Sequence, residues 1–180
     1  MGVGRKGRLE TESELYQYAI AALARRMRSV AELQRLLRRR VESETQIGQT
    51  LVELVIRRLK DQGYLNDASY AAAYSQFRRE NQKFGPRRVI TDLKAKGLHG
   101  EVIQAAVDST FAGVNEERLA REYLRRKRIG KPENNKDASR IVRQLIRAGF
   151  SSATTFKILR NWKMQEEFLE ELENEVESRD

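Results

Sequence analysis

A short pattern recurs three times in this chain: a leucine, then a glycine four residues later, then an apolar residue. The copies are Leu59-Gly63-Tyr64, Leu93-Gly97-Leu98 and Leu145-Gly149-Phe150. Glycine just past the last apolar residue of a helix is typical of a helix that ends with one residue in the left-handed backbone conformation. At an offset of 52 residues, the stretch from Arg88 also matches the stretch from Arg140. Such internal similarity indicates helical repeats. The correspondence is weaker for the copy at Leu59, because it ends the third helix of a three-helix unit, whereas the other two copies each end the second helix.

Apolar residues recur at spacings of three and four along almost the whole chain, which predicts α-helices and no strand. Ser29 and Glu32 form a capping-box pattern that opens the second helix, Pro86 suits the start of the fifth, and Pro132 is expected to end the seventh. The third helix is predicted to use Ile47, Leu51, Leu54, Val55 and Leu59 as its apolar stripe, and the fourth Tyr70, Ala73, Tyr74 and Phe77.

These patterns divide the chain into three helix-turn-helix-like units of three helices each. The predicted organisation is a basic flexible N-terminus at 1–12, repeats at 13–65, 66–112 and 114–163, and an acidic extension at 164–180. We therefore expect an all-α fold in which three tandem three-helix repeats form an elongated curved body. Phe168, Leu172 and Val176, at four-residue spacing, make a packed helix plausible in the extension.

Charge favours a polyanionic partner. Lys and Arg number 35 against 26 Asp and Glu, a net charge of +9, which suits nucleic acid or an acidic protein face. The last 20 residues carry eight acidic side chains and two basic ones, a net charge of −6. This acidic segment is either a solvated helix, a shield for the basic body, or a separate contact surface used by an adaptor.

Several classes of function lack the residues they need. The chain has no cysteine and a single histidine, His99, so disulfides, thiolate nucleophiles, every metal site that contains cysteine and most imidazole chemistry are excluded. No phosphate-binding glycine loop is present. The longest apolar run near the start, Tyr18 to Ala24, is too short to span a membrane. We expect a cytoplasmic protein without enzymatic activity, cofactor, metal or membrane partner.

Basic residues are concentrated in each of the three predicted units. The first group is Arg25, Arg26, Arg28, Arg35, Arg38 and Arg39; the second is Arg87, Arg88, Lys94 and Lys96; the third is Arg121, Arg125, Arg126 and Arg128. Arginine binds phosphate or carboxylate through two parallel hydrogen bonds. The groups are therefore candidate contacts with DNA or with an acidic protein surface, the alternative being a solvated helix surface.

A helix-turn-helix protein that recognises DNA sequence would place cations or amides on its recognition helix. The predicted sixth helix, Glu101 to Ser109, contains no Lys or Arg, and the ninth offers only Lys157 and Arg160. Sequence-specific or sequence-tolerant DNA binding of this type remains an alternative hypothesis, but the sixth helix fits it poorly.

Four motifs, in order, resemble the bacterial RecX family and cover about residues 14–160. They are Arg25-Arg26-Met27-Arg28-Ser29-Val30-Ala31-Glu32-Leu33, then Gly63-Tyr64-Leu65-Asn66-Asp67, then Phe84-Gly85-Pro86-Arg87-Arg88-Val89-Ile90 through Leu93 to Lys96-Gly97-Leu98, and finally Arg140 to Arg147 with Ala148-Gly149-Phe150. The polar insertion Lys131 to Lys136 and the acidic extension after Trp162 depart from the family pattern.

The resemblance implies a non-enzymatic, mainly negative regulator of the RecA recombinase. Proteins of this family bind the RecA filament on single-stranded DNA, lie in its groove, and limit filament growth, ATP hydrolysis and strand exchange in recombination and the SOS response. The family fold is also one of three helical units. On this basis we expect a monomer that binds the RecA filament, and single-stranded DNA within it or weakly alone.

Overall fold

The structure, a computed structural model, describes residues 8–42 and 44–178, and within them it has ten α-helices and no strand. The predicted all-α fold and the helix in the acidic extension are confirmed. The helices are α1 Glu12–Arg25, α2 Val30–Arg38, α3 Gln46–Asp61, α4 Asp67–Gln82, α5 Pro86–Ala95, α6 Gly100–Phe111, α7 Glu116–Arg126, α8 Asn135–Arg147, α9 Ser152–Asn161 and α10 Glu166–Glu177. The boundaries of the three predicted repeats stay predictions.

The recurring Leu-Gly-apolar pattern is the sequence of a helix end. Gly63, Gly97 and Gly149 have φ values of 76°, 80° and 91°, which L-residues with a side chain rarely adopt. In each copy the leucine carbonyl accepts a hydrogen bond from the amide of the apolar residue after the glycine, at 2.9 to 3.3 Å. This six-to-one bond defines the Schellman motif, so the pattern ends α3, α5 and α8 in the same way.

The predicted end of the seventh helix at Pro132 is wrong. Helix α7 ends at Arg126, because Arg128 takes the left-handed conformation with φ 57°. The amide of Ile129 then bonds to the carbonyl of Leu124 at 2.9 Å. The same Schellman geometry thus forms with arginine in the place of glycine.

The internal contacts divide the chain into two compact units. The first comprises the chain up to Ala71 together with Leu93–Ile103, and α1 and α2 pack against α3 within it. Val52, Val55, Ile56 and Leu59 fill its core from α3. Two residues of the predicted α3 stripe are exposed, Ile47 by 74% and Leu54 by 44%, because Val52 and Ile56 turn toward the core instead.

The second compact unit comprises Ala72–Asp92 and the chain from Gln104 onward. Helix α9 packs against α7, α8 and α10, and Phe150, Phe156 and Leu169 are fully buried. The predicted burial of Phe77 is wrong, since this side chain is 52% exposed. No helix among the described residues is both long and apolar enough to cross a membrane.

Candidate cationic binding surfaces

In the first compact unit, the N-terminus of α2 lies against the turn that ends α5. The Ser29 hydroxyl donates to the Lys96 carbonyl at 2.7 Å, and a Cβ added at Gly97 would lie 2.6 Å from the Cβ of Ala31. The Val30 amide donates to the Asp67 carboxylate at 2.8 Å. The helix start is therefore held by a side chain from α4 as well as by its own capping box.

In the second compact unit, the N-terminus of α5 lies against the turn that ends α8. The Gly85 amide donates to the Ala148 carbonyl at 2.9 Å, and the Arg87 amide donates to the Gly149 carbonyl at 3.3 Å. Free amides at a helix start thus bond to free carbonyls at a helix end, which satisfies both. Gly97 and Gly149, matched in the sequence, occupy equivalent turns.

Glu32 organises a partly buried cluster beside the first of these turns. Its carboxylate lies 3.5 Å from Arg26 and 3.3 Å from Lys96 and accepts a hydrogen bond from the Tyr70 hydroxyl at 3.4 Å. Burial raises the pKa of Glu32, but the Ser29 amide and the charges of Lys96 and Arg26 outweigh burial, so its pKa lies below the ordinary value. Arg26 and Lys96, predicted as partner contacts, are thus engaged within the unit.

Asp92 forms the centre of a second cluster. Arg78 and Arg88 approach its carboxylate at 2.6 and 3.0 Å, and the Tyr74 hydroxyl donates to it at 3.1 Å. Burial of the Tyr74 hydroxyl and the nearby Asp92 charge raise the pKa of Tyr74. The interpretation of Asp92 from sequence as a solvent-exposed or capping residue is wrong, since its side chain is only 12% exposed. Its position four residues after Arg88 is the spacing of a helical ion pair.

Five of the six arginines in the first predicted group form no ion pair with a described residue, the exception being Arg26. Arg25, Arg38 and Arg39 are exposed and make no ion pair within residues 8–42 and 44–178. Arg28 donates to the Ala22 carbonyl at 3.4 Å and Arg35 to the Ala31 carbonyl at 3.2 Å. Both of these bonds are to backbone carbonyls, and neither guanidinium forms an ion pair with a described residue.

The structure does not place the second predicted group in one compact unit. Lys94 and Lys96 belong to the first unit, whereas Arg87 and Arg88 belong to the second. Lys94 and Arg87 are exposed.

The third predicted group lies on α7 and the turn after it. Arg121 is paired with Glu117 at 2.8 Å. Arg125, Arg126 and Arg128 are exposed and form no ion pair with the part of the chain that the structure describes. Three exposed cations therefore surround the end of α7, of which Arg125 lies close enough to Glu122 to help lower the pKa of its carboxyl.

Both cations of α9 are held by carboxylates of the same compact unit. Lys157 lies 3.0 Å from Glu117, and Arg160 lies 2.8 Å from both Glu166 and Glu173 of the acidic α10. The acidic extension is therefore packed on α9 rather than fully solvated. Each α9 cation therefore has a carboxylate beside it, although the Lys157 and Arg160 side chains are 66% and 40% exposed.

These features define the class of protein: it is all-helical and exposes arginine side chains to solvent. The exposed arginines are Arg25, Arg38, Arg39, Arg125, Arg126 and Arg128. Within the described ranges, no group of three or more acidic or histidine side chains is placed to bind a metal.

Known proteins that resemble this chain in sequence and in fold are regulatory proteins. Residues 66–107 match the family model "RecX, second three-helix domain". The regulatory protein RecX of Mycolicibacterium vanbaalenii is 31% identical over 144 residues, which cover 76% of each chain. That of Pseudomonas putida is 33% identical and covers 79% of this chain and 86% of its own. The crystal structure of RecX from Lactobacillus salivarius shares the fold, with a TM-score of 0.64 at 20% identity over 84% of this chain and 96% of that one. The chain belongs to the RecX family of regulatory proteins.

Proposed function

We propose that this chain is a mainly negative regulator of the RecA recombinase. It binds the RecA filament on single-stranded DNA along the groove and limits filament growth, ATP hydrolysis and strand exchange. It acts by binding rather than by catalysis, as a cytoplasmic monomer without a cofactor. Membership of the RecX family supports this proposal, together with the ordered motifs that resemble the family's own.

The observation that carries the proposal is a set of exposed arginines that form no ion pair within the described residues. Arg38 and Arg39 at the end of α2 and Arg125 and Arg126 at the end of α7 make no ion pair with a described residue. They belong to different compact units. Each unit therefore offers its own contact to a polyanionic partner.

Two weak contacts on one chain bind more tightly than either alone, provided that a partner repeats at a matching spacing. A filament of identical protomers on DNA is such a partner. One bound molecule would connect several protomers and so affect growth and hydrolysis of the filament at low stoichiometry.

The alternative, a helix-turn-helix protein that binds DNA without RecA, finds less support. Lys157 and Arg160 of α9 are occupied by carboxylates, and α6 has no Lys or Arg. A recognition helix presents cations or amides toward base edges. Helix α6 has no cation, and the two cations of α9 are already paired with carboxylates of the same unit.

The test is the single-stranded-DNA-dependent ATP hydrolysis of RecA, titrated with this protein far below one molecule per RecA, with binding to DNA alone measured in parallel. We expect hydrolysis to fall at these low ratios while binding to DNA alone is weak. If hydrolysis falls only when the protein covers the DNA, the protein competes for the strand and the DNA-binding alternative replaces the proposal.

A further inference from the structure

A cavity in the second compact unit is lined by arginines from two helices. Arg88 comes from α5, and Arg140 and Arg147 come from α8, while the rings of Phe84 and Tyr123 contribute apolar surface. The cavity volume is about 350 Å³, within the range of small-ligand sites. None of the α8 arginines belongs to the cationic groups described above.

The α8 side of the cavity is one helix face. Arg140, Gln144 and Arg147 follow one another at spacings of four and three, so their side chains share a face. Arg140 contacts Asp137 at 3.3 Å but is 73% exposed, and Arg147 is exposed and makes no ion pair among the residues described. This face therefore presents two arginines and an amide, with the half-buried carboxylate of Asp137 beside Arg140.

The α5 side of the cavity carries a further excess of positive charge. Arg88 shares the single carboxylate of Asp92 with Arg78, at 3.0 and 2.6 Å. Two guanidinium groups on one carboxylate leave a net positive charge, and Asp92 is only 12% exposed. Arg88 is consequently fixed at the cavity without being neutralised.

The aromatic rings at the cavity are already covered. The guanidinium carbons of Arg78 and Arg88 lie 5.1 and 5.8 Å from the centre of the Phe84 ring. Tyr123 is 5% exposed and packs against Phe150, with ring centres 5.8 Å apart. A nucleic-acid base needs an open ring face to stack, so these rings favour an oxyanion over a base.

We infer that this cavity binds a phosphate group of a single-stranded nucleic-acid backbone, with Arg140 and Arg147 donating to its oxygens and Arg88 adding positive charge. A tetrahedral phosphate accepts hydrogen bonds from several directions, whereas one planar carboxylate is matched by a single bidentate arginine. Arginines from two helices therefore suit phosphate. The choice of nucleic acid as its source rests on the proposed function.

The test is binding of fluorescein-labelled oligo(dT) to the full chain and to the double variant Arg140→Gln/Arg147→Gln, without RecA. We expect the variant to bind about tenfold more weakly. The slope of the logarithm of its binding constant against the logarithm of the salt concentration should be shallower by about 0.7 for each lost phosphate contact. Because both side chains are exposed, the variant should keep its circular dichroism and unfolding midpoint.

Arg143→Gln is the matched control, because Arg143 is exposed on the same helix and does not line the cavity. It removes one positive charge, and we expect a smaller effect than that of either single variant, Arg140→Gln or Arg147→Gln. Equal losses from Arg143→Gln and Arg147→Gln would show a diffuse effect of charge and overturn the assignment of the cavity.

Two further results would also overturn it. One is unchanged oligo(dT) binding by the double variant. The other is polyglutamate that binds more tightly than oligo(dT) at equal ionic strength and depends on Arg140 and Arg147, which would make the cavity a site for acidic protein. The oligo(dT) assay contains no RecA, so failure of the wild-type chain to inhibit RecA would reject the proposed function separately.

Discussion

The Gly149 carbonyl accepts a hydrogen bond from the Arg87 amide at 3.3 Å, so the first turn of α5 lies directly on the turn that ends α8. A Cβ added at Gly149 would lie 2.6 Å from the Cβ and 2.9 Å from the Cα of Arg88, and would overlap the Arg88 amide nitrogen. Only glycine allows this approach. The contact brings Arg88 beside α8, where Arg140 and Arg147 lie.

Gly149→Ala should therefore destabilise the second compact unit by about 3 kcal/mol or more, since a left-handed alanine costs roughly 1–2 kcal/mol and the overlap adds to it. Urea unfolding followed by circular dichroism measures this loss.

Gly63→Ala is the matched control, because Gly63 has φ 76° but no atom within 4 Å of an added Cβ. It should lose about 1 kcal/mol from backbone strain alone. Equal losses in the two variants would show that the approach of Arg88 to Gly149 contributes nothing to stability.

Glu32→Gln should lower the free energy of unfolding by about 1 kcal/mol at neutral pH, because it keeps the capping hydrogen bond and removes the charge between Arg26 and Lys96. The folded-state pKa of Glu32 is below its ordinary value of 4.5. The stabilisation is thus fully present above about pH 4.5 and is lost as the pH falls through the folded-state pKa. Lys96, whose pKa is raised above 10.5, loses its contribution only at high pH.

The measurement is chemical unfolding of wild type and Glu32→Gln from pH 3 to pH 8, in which the difference should shrink below about pH 4.5. Glu53→Gln controls for the loss of one negative charge, since Glu53 is exposed and forms no ion pair in the described ranges. A difference between wild type and Glu32→Gln that is the same at every pH would contradict the role of the Glu32 charge.

Local sequence was sufficient to predict the helices and several of their ends. The Ser29–Glu32 capping box and the left-handed glycines at 63, 97 and 149 depend on residues within one or two turns, and the structure confirms them. The prediction that the seventh helix ends at Pro132 is wrong because Arg128 takes the left-handed conformation and ends α7 without a glycine. Ile47 and Phe77 also show that apolar spacing does not decide which of several possible stripes packs.

The candidate site was only partly predictable, for a physical reason. Charge density located the arginine groups, but the compensation of a charge depends on residues distant in the chain. Lys96 meets Glu32 from 64 positions away, and Arg78 meets Asp92 from another helix. No periodic pattern reports such pairs, and for the same reason the cavity formed by Arg88, Arg140 and Arg147 was not anticipated.

Arg38→Glu/Arg39→Glu should weaken inhibition of RecA, because it reverses two uncompensated charges at the end of α2. We expect about tenfold more protein to be needed for half-inhibition of ATP hydrolysis, as one of several linked contacts is lost. Helicity should be unchanged, because both residues are exposed.

Arg57→Glu/Lys60→Glu is the control, since it makes the same change in net charge on α3, outside the three groups, at two exposed residues. It should inhibit nearly as well as wild type. If both double variants lose inhibition equally, net charge rather than the α2 group governs binding.

Helix α10 should act as part of the second unit's core rather than as a docking segment. Leu169 is fully buried against Val142, Phe156 and Leu159, so Leu169→Ala should cost about 2–5 kcal/mol through the cavity it leaves. Glu170→Ala, at an exposed neighbour on the same helix, should change stability by less than about 0.5 kcal/mol. Below their unfolding temperatures both variants should inhibit RecA as wild type does, as measured by ATP hydrolysis. Loss of inhibition by Glu170→Ala with unchanged stability would instead identify the acidic face of α10 as a contact surface and support the adaptor hypothesis.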